Sequence, residues 1–163
     1  ESANKLGGRP AVEIDTQNLK NKGGFSTMFT SKWEFYEETF LSVVSETIYN
    51  SDTLYFTEKI CKPLMCLHPF ILVTSPHSLK RLQKFGFKTF HPFIDESYDN
   101  EEDGLKRMQM IFDELDKFRA RPIQELKDWW KEILPILEHN QKVFLELGKN
   151  KSERIKYMEK LND

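Results

Sequence analysis

The sequence has little of several things, and each shortage excludes a class. Among 163 residues there are only two cysteines, Cys61 and Cys66. Two thiols five residues apart in an apolar segment point to different sides of a helix and do not make a disulfide framework. With no second Cys/His cluster there is no zinc ligand set either. The pair reads as buried free thiols, which suits a reducing, cytoplasmic compartment (or a host cytoplasm, if the chain is viral). No long apolar run is present. The longest, Pro69-Phe70-Ile71-Leu72-Val73, is far short of the roughly 20 residues a membrane span needs. There is no surplus of positive charge, since 24 Lys+Arg stand against 26 Asp+Glu. That excludes a generic nucleic-acid binder, whose footprint is basic. Neither Gly-x-Gly-x-x-Gly nor Gly-x-x-x-x-Gly-Lys-Ser/Thr occurs, so the common dinucleotide and P-loop readings rank low. The chain opens Glu-Ser-Ala-Asn, without Met and without a basic-then-apolar leader, and reads as an internal start.

What the chain does have is aromatic weight and mixed charge. Aromatic residues make up 13%, thirteen of them Phe, too many for a disordered chain. The length suits one domain with a core of its own. Residues 1–31 read as an N-terminal arm and loop, with a short strand at Ala11–Ile14. A short helix over Lys32–Glu38 precedes Phe40–Ser45, a near-continuous apolar run that reads as a buried strand. Thr57-Glu58-Lys59 opens a helix: Thr57 is a sound N-cap, and Glu58 suits the positive end of the dipole. Pro63 either kinks that helix or marks the start of its regular part near Lys62, and His68-Pro69 ends it. Phe70–Thr74 is the clearest strand. Ser78–Phe85 is a helix capped by Gly86, and Lys88–Phe90 a third strand.

Strand and helix thus alternate over residues 32–99. The expected fold is α/β, with a small, mostly parallel, Rossmann-like sheet flanked by helices. Residues 100–163 form a helical C-terminal region packed on that core. Its helices run over 100–118, from Pro122 to Gly148 with a kink at Pro135, and over 151–161. Trp129 and Trp130 read as core and interface. The acidic run Asp95–Asp103 lacks the alternating acids and central Gly of a calcium loop, so it reads as a solvated helix front.

Ligands of a parallel sheet bind at the carboxyl ends of its strands, here the loops Glu46–Phe56 and Ser75–Ser78. The first strand delivers Glu46 to that edge. The helix N-terminus at Thr57 offers free N–H groups for phosphate, and Lys59 in its first turn adds a cation for a diphosphate. Glu58 or Glu46 can accept from sugar hydroxyls, and His77 stands in the second loop. The bland alternatives are a helix cap at Thr57-Glu58, a solvated lysine at Lys59 and a water-facing Glu46. His68 reads as a helix terminator. His91 and His139 have no partners at metal spacing, so no metal is expected.

The ordered set Ser45-Glu46-Thr47, Tyr55-Phe56-Thr57-Glu58-Lys59-Ile60 and Leu67-His68-Pro69-Phe70 resembles the donor-binding half of glycosyltransferases built from two facing Rossmann-like domains. Its closest echo is the fucosyltransferase motif. The order that continues through Lys62-Pro63, Pro69-Phe70-Ile71 and Phe85-Gly86-Phe87-Lys88-Thr89-Phe90 is similar to glycosyltransferase-like proteins of large viruses, phages and marine microbes. The resemblance covers about a third of the chain, and Thr47 stands where fucosyltransferases have Asn.

The resemblance implies transfer of a sugar from a nucleotide-diphosphate sugar, which is the donor substrate, with no further cofactor. The donor-binding set would be Glu46, Thr47, Thr57, Glu58, Lys59, Ser75 and His77. Lys59 would neutralise the diphosphate, Glu58 would hold the ribose, and Glu46 and Thr47 would line the pocket. No catalytic base is identifiable. The resemblance places it, with the site for a glycan or protein acceptor, in an N-terminal domain outside these residues. The alternative is a non-catalytic interaction module derived from a transferase fold.

Overall fold

The computed structural model describes residues 34–51 and 56–149. The sequence-based strand at 11–14, the arm over 1–31 and the last helix over 151–161 lie outside them. Helix α1 is the single turn Glu34–Glu38, closed by the Thr39 hydroxyl donating to Phe35 O at 2.7 Å. Strand β1, Ser42–Ser45, pairs in parallel with β2, Phe70–Val73, in the register Ser42 to Phe70 and Ser45 to Val73. All four residues of β2 are buried. On β1 only Val44 is, since Val43 and Ser45 point to the open side. Burial on both faces is why β2 reads as an unbroken apolar run, whereas β1 carries serines.

The connection is helix α2, Glu58–Met65, continuous through Pro63. Thr57 caps it, its hydroxyl accepting from Lys59 N at 3.3 Å. Leu67 takes a left-handed φ of 51°, and His68 N then donates to Pro63 O at 3.0 Å. That is the six-to-one bond of a Schellman stop, with Leu in the place glycine normally takes. His68 is more than a terminator. Its buried ring lies 2.9 Å from Ser42 Oγ and 3.0 Å from both Thr39 O and Pro69 O, edge-on to Tyr36, and so ties α1 to the sheet.

Helix α3, Ser78–Lys84, ends at Gly86 with φ 89°. Gly86 N donates to Gln83 O at 2.9 Å and Phe87 N to Leu82 O at 3.2 Å, a complete Schellman motif with Leu82 and Phe87 both buried behind it. The third strand at Lys88–Phe90 does not form, and the sheet has two strands among the described residues. The reason is a competing partner. Lys88 N donates to Asn140 Oδ1 at 2.7 Å, and Asn140 Nδ2 to Lys88 O at 2.8 Å. Phe90 N turns to the Glu96 carboxylate at 2.7 Å. Side chains have taken the bonds a ladder would need.

A 3₁₀ turn over Glu96–Asn100 leads into α4, Gly104–Ala120, whose N-cap Asp103 accepts from Leu105 N and Lys106 N. Helix α5, Ile123–Lys149, runs as one helix past Pro135. It packs on α2, with Gln141 Nε2 donating to Met65 O at 2.7 Å. One core joins sheet and helices, from Ile71 and Phe90 to Ile111, Trp129, Trp130, Ile133 and Leu137. The fold is α/β with a helical C-terminal region, as the alternation predicts, built on a single strand–helix–strand unit. Among the described residues no helix is long and apolar enough to cross a membrane.

Candidate functional site

The structure divides the seven sequence-derived residues into two groups. No side-chain hydrogen bond joins the groups among the described residues. In the first, Glu46 follows β1 and is 5% exposed. Its carboxylate is turned onto the cap of α2, accepting from Thr57 N at 3.1 Å and from the Thr57 hydroxyl at 2.5 Å. Both oxygens therefore serve the helix entrance. Glu58 is exposed on the first turn. Lys59 reaches back across the turn, its Nζ donating to Thr47 Oγ1 at 3.3 Å.

In the second group, Ser75 is buried and its carbonyl accepts from Ser78 Oγ at 2.6 Å. His77 takes a left-handed φ of 62°, and its N–H donates to Asp99 O at 2.6 Å. Its Nε2 lies 2.9 Å from Glu102 Oε1 on the surface. The entrance of α3 is filled by Asp99, whose carboxylate accepts from Leu79 N at 3.0 Å and Lys80 N at 3.3 Å. Burial pushes the Asp99 carboxyl above its ordinary pKa, against those two bonds. An internal carboxylate thus occupies the place an anionic ligand would take at the second loop.

The open space lies elsewhere. A groove of about 450 Å³ runs between α1, the outer face of β1 and the start of α2. Phe35, Tyr36 and Thr39 line it from α1 and the residue after it, Ser42 to Ser45 from β1 with the two valines between the serines, and Lys59, Lys62 and Pro63 from α2. Of the seven residues only Lys59 lines it. Sequence reasoning missed Lys62, although its spacing three residues after Lys59 puts both ammonium groups on one helix face. It also missed Ser45, which needs the knowledge that β1 turns this residue, with Val43, to the open side.

Among the described residues no carboxylate and no histidine lines the groove. Burial holds the Tyr36 phenol above its usual pKa, with Cys66 adding to the effect, so at neutral pH it stays a neutral hydroxyl. The arrangement can hold an anion between two cations and hydroxyl donors, with a flat or apolar group against Phe35. Among the described residues it offers no general base. Among the described residues no three His, Cys, Asp or Glu side chains converge as a metal site. Comparisons with protein-family models, curated proteins and solved structures find no match for the chain.

Proposed function

We propose that this chain is the donor-binding part of a cytoplasmic, fucosyltransferase-like glycosyltransferase, taking a nucleotide-diphosphate sugar. One observation carries the reading: Lys59 and Lys62 line one open groove together with Ser45, Phe35 and Tyr36. Two lysines match the charge of a diphosphate, Ser45 can donate to its oxygens, and Phe35 offers a surface for the base. The lysines would stabilise the leaving diphosphate as its charge develops. On this reading the general base and the glycan or protein acceptor belong to a second domain. On this reading Glu46 and Thr57 act by setting the entrance of α2, from which Lys59 projects.

The test is calorimetric titration of the folded chain with UDP, GDP, CMP and dTDP, in EDTA and in Mg²⁺. Saturable binding of one nucleotide is expected, insensitive to EDTA and weakened at least tenfold by Lys59→Ala (about 1.4 kcal/mol). Lys62→Ala is expected to do the same. A folded chain that binds none of them, or binds equally well without either lysine, sinks the proposal. The second reading, a non-catalytic interaction module, rests on Phe35 and Val43, which are 60% and 52% exposed beside the groove and suit an apolar partner segment. It predicts no nucleotide binding at all.

A further inference from the structure

Every residue of β1 lines the groove. Neighbouring residues of a strand point to opposite faces, so a groove that touches each of them runs along the edge of the strand rather than over one face. The main chain at that edge is unpaired. Ser42 N donates to Pro69 O at 2.9 Å and Glu46 N to Val73 O at 3.0 Å, so these positions turn toward β2. In a parallel ladder the alternate residues, Val43 and Ser45, turn their N–H and C=O groups the other way. Among the described residues no strand lies on that side. The strand carries neither the lysine nor the proline that commonly guards an open edge, and both of its central residues are β-branched. Lys59 and Lys62 border the same edge, and among the described residues neither has a carboxylate within salt-bridge distance.

We propose that this edge is a docking site for an extended, acidic peptide segment of a partner protein, which adds to β1 as a third strand. Two observations choose the occupant. The free groups of Val43 and Ser45 alternate as donor and acceptor, and a second main chain in extended form matches them group for group. The two uncompensated lysines select acidic side chains on that chain, and the half-exposed Val43 selects a β-branched residue opposite it. The inference stands apart from the nucleotide reading, because peptide binding alone decides it. Where both hold, peptide and nucleotide exclude each other at Lys59 and Lys62.

Fluorescence polarisation of a labelled Thr-Val-Glu-Val-Glu-Val-Thr peptide against the full chain, from about 1 to 500 μM, tests it. Saturable binding is expected, and none for the same peptide N-methylated along its central residues, which keeps every side chain but loses the donors. Val43→Pro is expected to abolish binding with an unchanged circular-dichroism spectrum, because the N–H it removes faces away from β2. Ser45→Pro is expected to act alike and serves if the first variant does not fold. Lys59→Glu with Lys62→Glu is expected to weaken binding at least tenfold, and a Thr-Val-Lys-Val-Lys-Val-Thr peptide to recover it. A folded chain that binds no peptide overturns the proposal. So does binding indifferent to N-methylation or to both proline variants, and a charge reversal without recovery overturns the role of the lysines. Self-association that Val43→Pro abolishes, without peptide binding, gives the edge to a second copy and overturns the proposal as well.

Discussion

Asn140 on α5 grips the backbone of Lys88 by both of its hydrogen-bonding groups, at 2.7 and 2.8 Å, as a neighbouring strand would. A helix side chain thereby closes the sheet at the point where a third strand would begin.

Asn140→Ala removes both bonds and leaves the two backbone groups to find water in a partly covered place. The expected loss is about 2 kcal/mol, read as a lower midpoint in urea. Asn140→Asp keeps the acceptor but sets a carboxylate against Lys88 O. It should be no more stable than the alanine variant at neutral pH and should recover at acid pH, where the carboxyl can donate.

The Glu46–Thr57 contact closes the β1–α2 connection with two bonds to one carboxylate. A double-mutant cycle with Glu46→Gln and Thr57→Val should return a coupling of about 1–2 kcal/mol, measured by denaturation. Additive effects would show that the two residues act separately.

Tyr98 is buried, and burial raises its phenol well above the ordinary value, with Glu96 adding to the shift and a hydrogen bond to Leu72 opposing it. The folded pKa lies above the unfolded one. Its contribution to stability is therefore whole below about pH 10 and is lost as pH rises toward the folded value. Thermal stability should fall steeply above pH 10, by about 1 kcal/mol for each pH unit from this group. Tyr98→Phe should be slightly less stable at pH 7 and show a shallower alkaline fall.

Burial pushes the Cys61 thiol up to about 11, and the nearby Glu46 and Glu58 add to the shift. At pH 8 its thiolate fraction is then roughly a hundredfold below that of an unperturbed thiol. In a Cys66→Ser background, iodoacetamide should label the native chain slowly and the urea-unfolded chain at the ordinary rate. Equal rates would refute the shielding.

The local signals in the sequence were readable. Thr57 caps α2, Gly86 closes α3, and the Trp129-Trp130 pair enters the core, because each depends on spacing within a few residues. What local spacing does not reveal depends on distant partners. Lys88–Phe90 has strand-like residues, yet Asn140, 52 positions away, claims its backbone. Glu46 carries the right chemistry for a sugar hydroxyl, yet Thr57, 11 residues on, uses both its oxygens. The loop Ser75–Ser78 reads as a ligand edge, and Asp99, 20 residues beyond Leu79, accepts from the first turn of the helix that follows it. Of the candidate site, Lys59 was legible. Its companions Lys62 and Ser45 emerge only once β1 and α2 are packed side by side.

Arg107 gives the molecule a rivet. Its guanidinium, 1% exposed, donates to Tyr49 O and Glu101 O, both at 2.7 Å, and lies over the Tyr49 ring. Tyr49 returns a bond through its hydroxyl to Gly104 O at 2.6 Å. Among the described residues no carboxylate stands within salt-bridge distance of Arg107. An arginine cannot shed its proton to ease burial, so the charge is tolerable only while those carbonyls stay in place. The loop leaving β1 and the first turn of α4 are therefore one mechanical piece. A force that shifts residues 49 and 50 must drag the start of α4 with it, or expose a permanent charge to a gap it cannot fill.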